Sequence, residues 1–184
     1  VFKLVKELNQ VSNGKFFLYE RDNELVVIKE LSQKIDSEGE FEIDKELFSY
    51  ERLKALDIYT PKLLGYNREN NIVIKEYLEG KDLLGIIRDR TLTKDNYIEL
   101  LRYSELLNSD NLNIDYFPAN FVLKENRLYY VNYKVFPYSE ELNLRNWGIF
   151  SLVIGTEPSS IFFFILLAIS SVRLTEAFSL RTIL

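Results

Sequence analysis

The sequence contains no cysteine and no histidine. Without cysteine the chain can form no disulfide, no thiolate zinc site and no thiol nucleophile. Without histidine it can form neither a Ser-His-Asp triad nor an imidazole metal site, and it lacks the side chain that most often serves as a general base near neutral pH. Any enzymatic chemistry must therefore depend on carboxylates, lysine, tyrosine or bound cations.

The chain also lacks an excess of positive charge. Its net charge of −5 argues against a nucleic-acid-binding protein that neutralises many phosphates. The first ten residues, V-F-K-L-V-K-E-L-N-Q, mix charged and apolar side chains and contain no apolar core of a secretory signal, so we expect a cytoplasmic protein. A length of 184 residues with 47% hydrophobic side chains suffices for one well-buried domain or for two small lobes.

Short antiparallel strands are predicted at the start of the chain. Aromatic and β-branched residues are concentrated at positions 15–20 and 24–31, and a polar turn at positions 21–23 separates the two runs. A second turn, at Asn13-Gly14, would pair residues 2–8 with the first of these runs, because Asn-Gly readily adopts the positive φ angles of a tight hairpin.

One helix and two further strands are predicted next. Leucine and tyrosine recur at helical spacing within residues 43–56, which indicates an amphipathic helix. Pro61 follows, and residues 62–66 and 71–77 resemble strands separated by a polar turn. The predicted order is therefore β-β-β-α-β-β.

Residues 79–148 are predicted to be mainly helical. Helices are predicted at residues 83–90 and 94–107, and two more strands at residues 121–124 and 128–133. Together with the first half, this pattern predicts an α+β fold.

The composition changes after Trp147-Gly148. Residues 149–184 carry only four charged side chains, and the apolar run at 161–169 is shorter than the roughly 20 residues of a membrane-spanning helix. A buried C-terminal helix is the favoured interpretation. A membrane segment at 149–172 and a tail that is foreign to the fold, for example through a frame shift, remain alternatives.

The element order and three residues together resemble the protein-kinase-like superfamily. Lys29 ends the run V-V-I-K, and Asp115 and Asn120 lie five positions apart in N-I-D-Y-F-P-A-N. The chain is most similar to small divergent branches of the superfamily, the aminoglycoside phosphotransferases and the kinase of the KEOPS complex. The resemblance covers residues 2 to about 148.

The resemblance implies a bilobal protein-kinase-like fold, with an antiparallel N-terminal sheet and one helix followed by a short, mainly helical C-terminal lobe. The corresponding domains are a nucleotide-binding lobe at 1–78, a helical lobe with the catalytic loop at 79–148, and the hydrophobic tail at 149–184. A helical lobe this short favours a protein-directed or partner-dependent kinase over a full antibiotic phosphotransferase.

The resemblance also assigns roles to individual residues. Lys29 would contact the nucleotide phosphates, and a helix carboxylate, Glu46 with Glu51 as its rival, would hold that lysine. Asp115 would accept the proton of the acceptor hydroxyl, and Asn120 would bind Mg²⁺. From the residues alone, Lys29 could instead cap an exposed strand, and both glutamates could lie on the helix surface.

The nucleotide itself would be bound by backbone groups. The segment from Glu76 to Leu78 would follow the fifth strand and hydrogen-bond an adenine edge. Gly14 is all that remains of the glycine-rich loop that covers the phosphates in the superfamily.

One strand departs from the superfamily pattern. Where kinases have Asp-Phe-Gly, this chain has Asn132-Tyr133-Lys134. The Asn132 amide can still offer an oxygen to Mg²⁺, but it brings no negative charge to a cation that favours carboxylates. Lys134 adds a positive charge that could either replace part of the metal's role or block its site.

Two functions follow from the resemblance. The first is a small ATP-dependent phosphotransferase that uses ATP and Mg²⁺ and transfers the γ-phosphate to a hydroxyl. The alternative is a catalytically impaired pseudokinase that binds a nucleotide or a protein partner. We expect a nucleotide ligand and either a protein substrate or a regulatory partner, whereas membrane association of the tail is not favoured.

Overall fold

The computed structural model describes residues 2–8, 14–32, 35 and 39–148. The three open interpretations of the tail and the predicted turn residue Asn13 lie outside these residues. The described strands are β1 (Lys3–Glu7), β2 (Gly14–Arg21), β3 (Glu24–Leu31), β4 (Leu63–Asn67), β5 (Ile72–Glu76), β6 (Lys81–Asp82), β7 (Leu112–Ile114), β8 (Phe121–Lys124), β9 (Arg127–Tyr130) and β10 (Val135–Pro137). The described helices are α1 (Glu42–Ala55), α2 (Leu83–Arg88) and α3 (Lys94–Ser109), with a 3₁₀ turn at Pro118–Asn120 and a π-helical turn at Leu144–Gly148.

The described residues form two compact units. The first contains the chain up to Gly80 together with Tyr129–Val135, and the second contains Lys81–Leu128 and the described residues from Phe136 onward. The segment Tyr129–Val135, which the sequence prediction placed with residues 79–148, therefore belongs to the first unit.

The first unit is built on a five-stranded antiparallel sheet with the order β1-β2-β3-β5-β4. A two-residue turn joins β2 to β3, where Asp22 and Asn23 adopt φ angles of 54° and 67°. These positive angles match the right-handed twist of a hairpin, and asparagine and aspartate tolerate them better than most residues. The predicted turn and the strands on either side of it are confirmed.

Helix α1 is the one long helix among the described residues of the first unit. Its first turn contains the acidic residues Glu42 and Asp44, and its last turn contains Arg52 and Lys54, so both ends complement the helix dipole. The buried positions recur at helical spacing and are Ile43, Glu46, Ser49 and Leu53. The predicted helix is confirmed, but its most buried face includes a charged residue that the leucine pattern did not mark.

The second unit contains the other two described helices and most residues of the two smaller sheets. Helix α3 begins at a reciprocal cap in which the Thr93 hydroxyl accepts from the Asn96 N–H and the Asn96 side chain accepts from the Thr93 N–H. Helix α2 begins at Asp82, whose carboxylate accepts from the Gly85 N–H at 2.7 Å. The smaller sheets have the orders β10-β7 and β6-β8-β9.

Three predicted element ends differ from the structure by two residues or more, and one of them belongs to the helix predicted at 94–107, which continues to Ser109. The strand predicted at 128–133 ends at Tyr130, and Tyr133 adopts a positive φ of 61°, which an extended strand does not allow. The helix predicted at 83–90 ends at Arg88, because Arg90 has a φ of 59°. Strands β6, β7 and β10 were not predicted, since two or three residues carry too little alternation to mark a strand.

The architecture of the described residues is mixed α+β, with a mainly antiparallel sheet and few helices. This confirms the predicted fold class. None of the described helices has both the length and the apolar character needed to cross a membrane.

Candidate functional site

A buried ion pair lies in the first unit. Lys29 is fully buried on β3, and its Nζ donates to both carboxylate oxygens of Glu46, at 2.8 and 2.7 Å. Glu51, the rival carboxylate, is exposed. The predicted contact between Lys29 and Glu46 is therefore confirmed, whereas the role of the pair in nucleotide binding stays a prediction.

The alternation of strand residues explains how a lysine reaches the interior. On the sheet, Lys29 lies opposite Phe16 of β2 and opposite Val73 of β5. Directly opposed residues of antiparallel strands point to the same face. Lys29 therefore shares its face with apolar side chains, and α1 supplies the carboxylate that compensates its charge.

A second lysine, Lys75 on β5, is buried on the same face. It lies opposite Val27, which is two residues before Lys29 on β3. Its Nζ donates to the Val131 carbonyl oxygen at 2.6 Å and lies over two aromatic rings, 5.2 Å from the Phe16 centroid and 4.5 Å from the Tyr133 centroid. These contacts hold an ammonium group in a largely apolar environment.

The environment of Lys75 changes its protonation. Burial lowers the pKa of Lys75 from 10.5 to about 7, the nearby charge of Lys29 lowers it too, and Glu46 acts in the opposite direction. Sequence reasoning missed this residue. A signal was present, because I-V-I-K at 72–75 repeats the pattern V-V-I-K at 26–29 and so places a second lysine at the end of an apolar strand run.

The segment that carries Asn132 is anchored on both sides. Val131 accepts the hydrogen bond from Lys75, and the buried Tyr133 donates its hydroxyl to the Pro61 carbonyl. The Tyr133 ring also lies 5.0 Å from the Tyr50 ring of α1. Burial raises the pKa of Tyr133 well above its usual value, so the hydroxyl stays a donor. The structure places Asn132, half-buried, between these two anchors in the first unit.

The predicted nucleotide-binding backbone positions also lie in the first unit. Gly14 begins β2 with a φ of 149°, and a Cβ built there would overlap the carbonyl oxygen of Glu30. This close approach accounts for a glycine whether or not the residue also contacts phosphate. At the end of β5, the Glu76 N–H donates to the Lys62 carbonyl at 2.9 Å, and Leu78 is buried two residues later.

Asp115 and Asn120 lie together in one loop of the second unit. The Phe117 N–H donates to Asp115 Oδ1 at 3.0 Å, and the Asn120 side-chain amide donates to the Asp115 carbonyl at 3.2 Å. A 3₁₀ turn that starts at the buried Pro118 makes this return possible, because proline fixes φ near the helical value. The five-residue spacing thus corresponds to a turned and internally bonded loop.

The same loop is anchored by the residues around Asp115. Asn113 is buried and donates its side-chain amide to the Ser139 carbonyl at 2.9 Å. Tyr116 is buried and its ring stacks on Phe121, with the centroids 6.5 Å apart. Burial raises the pKa of Tyr116 to about 12. The residues on both sides of Asp115 therefore hold its backbone in place.

The predicted site residues thus fall into two groups. The first unit contains Lys29 and Glu46, which are in direct contact, along with Gly14, Asn132 and the residues Glu76 and Leu78. The second unit contains Asp115 and Asn120, which are joined by a hydrogen bond.

The proposed magnesium ligands fit the ion poorly. Both Asn120 and Asn132 are amides, and Asn120 directs its nitrogen to the Asp115 carbonyl, which leaves only its oxygen for a cation. Within the part of the chain that the structure describes, no three acidic side chains gather into a group that could hold a metal ion. A donor set of neutral amides does not match the preference of Mg²⁺ for carboxylates.

The sequence matches no protein-family model and no curated protein. The resemblance to the kinase-like superfamily therefore rests on the element order and on the residues described above.

Proposed function

We propose that this chain has a bilobal kinase-like fold and is a small ATP-dependent phosphotransferase. The observation that carries this proposal is the buried contact between Lys29 and Glu46. Lysine binds phosphate as a point charge, and in protein kinases a strand lysine paired with a helix glutamate performs this task. The contact between a strand lysine and a helix carboxylate therefore supports a phosphate-binding role.

The energetics of the pair support a functional role as well. A buried ion pair must compensate the desolvation of both charges, and apolar residues of similar size often stabilise a fold as well or better. Lys29 and Glu46 have side-chain exposures of 0% and 7%, so this cost applies to both. A chain that retains such a pair in a sheet of valine and isoleucine gains little stability from it, which favours binding as its purpose.

The second unit would supply the proton acceptor. The carboxylate of Asp115 accepts the proton of an acceptor hydroxyl, whose oxygen forms a bond to the γ-phosphorus of ATP. The bond between the γ-phosphorus and the bridging oxygen breaks, and ADP leaves. The hydrogen bond from the Phe117 N–H fixes the orientation of the carboxylate, which supports this role.

A second candidate function is a nucleotide-binding pseudokinase. Asn132, at the position where kinases carry a metal-binding aspartate, favours it, because an amide brings no charge to the phosphates or to a metal. Lys29 and Glu46 would then bind nucleotide without turnover.

Thermal-shift titration with ATP, with and without Mg²⁺, tests the nucleotide-binding core of both candidates. We expect ATP to raise the melting temperature of the wild type, since a ligand that binds only the folded state stabilises it. Lys29→Met should lose this shift, whereas Lys54→Met, at an exposed position of α1, should retain it. An absent shift in both conditions would remove both candidates.

Phosphoryl transfer separates the two candidates. The phosphotransferase predicts ATP hydrolysis that Asp115→Asn abolishes without changing ATP binding. If the wild type binds ATP and shows no turnover, the pseudokinase is the correct function. Recovery of metal-dependent hydrolysis by Asn132→Asp would then show that the deficit is one ligand.

A further inference from the structure

The face of the first unit's sheet on which Lys29 and Lys75 lie has more buried positive than buried negative charge. Lys29 and Lys75 are 0% and 3% exposed, and their Nζ atoms lie 5.4 and 5.2 Å from the same Phe16 ring centroid. Among the described residues, the buried carboxylate that contacts this face is Glu46 of α1, and both of its oxygens accept from Lys29. Two ammonium groups therefore converge on one region with a single carboxylate between them.

This imbalance has an energetic consequence. A buried charge without a partner is costly, and the protein reduces the cost either by releasing the proton or by binding a counter-charge. Lys75 has a carbonyl and two aromatic rings as partners, which stabilise its ammonium group but do not neutralise its charge. An anion that reached this face would supply the missing negative charge.

The poor fit of the proposed metal ligands to Mg²⁺ also indicates that a bound polyphosphate would need positive charge from the protein. A polyphosphate needs cations around it, and kinases supply most of them as Mg²⁺ held by carboxylates. Here Asn132 is neutral, so it would bind Mg²⁺ only weakly. The protein offers a second lysine in the same unit instead.

We propose that Lys75 is a second phosphate-binding residue, and that Lys29 and Lys75 together hold the polyphosphate of a nucleotide without a divalent metal. This inference rests on the proposed nucleotide-binding function. It adds that the polyphosphate of the nucleotide binds without a metal ion. The ammonium of Lys75 has three N–H donors, and one of them is directed to the Val131 carbonyl. Lys75 can therefore donate to a phosphate oxygen and keep its hydrogen bond to Val131.

Lys75 could instead act only by positioning the segment that carries Asn132. The two roles differ in what they require. Positioning needs a donor to the Val131 carbonyl, which a glutamine can supply, whereas phosphate binding needs a positive charge, which it cannot. Lys75→Gln and Lys75→Met therefore form a matched pair, and Lys54→Met, at an exposed position of α1, is the control.

Isothermal titration calorimetry with ATP and with inorganic tripolyphosphate, each in EDTA, tests the proposal. We expect the wild type to bind both, and we expect Lys75→Gln and Lys75→Met to weaken binding by about tenfold or more, the loss of one charge-assisted contact. Lys54→Met should bind as the wild type does. Saturable binding of tripolyphosphate to the wild type in EDTA supports the proposal even if both Lys75 variants fail to fold.

Three results would overturn the inference in distinguishable ways. If ATP binds in Mg²⁺ but neither ligand binds in EDTA, the site needs a metal, and the proposed function stands without this inference. If Lys75→Gln binds as the wild type does, Lys75 is a positioning residue. If neither ligand binds the wild type in EDTA or in Mg²⁺, the proposed function fails with it.

Discussion

At the scale of single residues, Glu46 is the carboxylate that compensates the charge of the buried lysines in the first unit. Glu46→Gln leaves Lys29 and Lys75 buried together without a carboxylate, so we expect the free energy of unfolding to fall by about 3–5 kcal/mol, the range for breaking a buried pair. Lys29→Met should cost less, because Lys75 still compensates the charge of Glu46. Urea unfolding at pH 7 measures both changes.

The control for this comparison is Glu51→Gln on the exposed face of α1, which should leave stability nearly unchanged. A larger loss for Lys29→Met than for Glu46→Gln would show that Lys75 does not share the carboxylate.

Lys75 makes stability depend on pH. Its pKa is about 7 in the folded chain and near 10.5 when unfolded, so between these values the unfolded chain binds more protons. The free energy of unfolding must therefore rise with pH across this window, and the destabilising contribution is fully present below pH 7. Lys75→Met removes this contribution. The stability of the variant relative to wild type should be greatest near pH 6 and should decline steadily to pH 9.

Chemical denaturation of both proteins at several pH values between 6 and 9 measures this difference. The other groups facing Lys75 are Lys29, Glu46 and Tyr133, and the comparison keeps them the same in both proteins. Parallel stability curves for the two proteins would contradict a lowered pKa.

Single residues also show where sequence reasoning succeeds and where it fails. The pairing of Lys29 with Glu46 could be predicted, because a superfamily pattern links a strand lysine to a helix carboxylate. The I-V-I-K repeat marks Lys75, but the superfamily pattern assigns no role to this lysine, and lysines usually lie at the surface. Its burial depends on the register between β3 and β5, which only the folded sheet sets.

At the scale of elements, the first turn of α3 offers a clean test of local structure. Thr93→Ala removes the hydroxyl that accepts from the Asn96 N–H, so we expect a loss of about 1 kcal/mol in stability. Thr93→Ser keeps the hydroxyl and should retain most of it. Thermal or urea unfolding of the three proteins measures the effect, and equal losses for alanine and serine would exclude capping as the cause.

Elements with strong local signals were predictable. The hairpin of β2 and β3 combines β-branched runs with a two-residue turn, and α1 has a helical repeat, so both appear where the sequence placed them. Strand β9 ends early for a reason outside the local sequence. Val131 and Tyr133 are held by Lys75 and by Pro61, which are distant in the chain, and these contacts compete with continued strand pairing.

At the scale of the whole molecule, the α+β class followed from the order of elements, whereas the place of Tyr129–Val135 in the first unit did not follow from it. The chain changes units at Tyr129 and returns at Phe136, and these crossings leave no mark in composition. Tertiary contacts of Tyr129–Val135, such as the bond from the Tyr130 N–H to the Tyr59 carbonyl, decide the assignment.

If the buried lysines of the first unit contact nucleotide phosphates, as we propose, an acyl-phosphate derivative of ATP should label them covalently. A lysine amine near the phosphates attacks the acyl carbonyl, an amide forms on that lysine, and the nucleotide is released. Peptide mass spectrometry should identify the label on Lys29, and on Lys75 if it also contacts phosphate, and excess ATP should suppress it. Label found only on exposed lysines, or label on Lys29 that ATP does not reduce, would contradict the account.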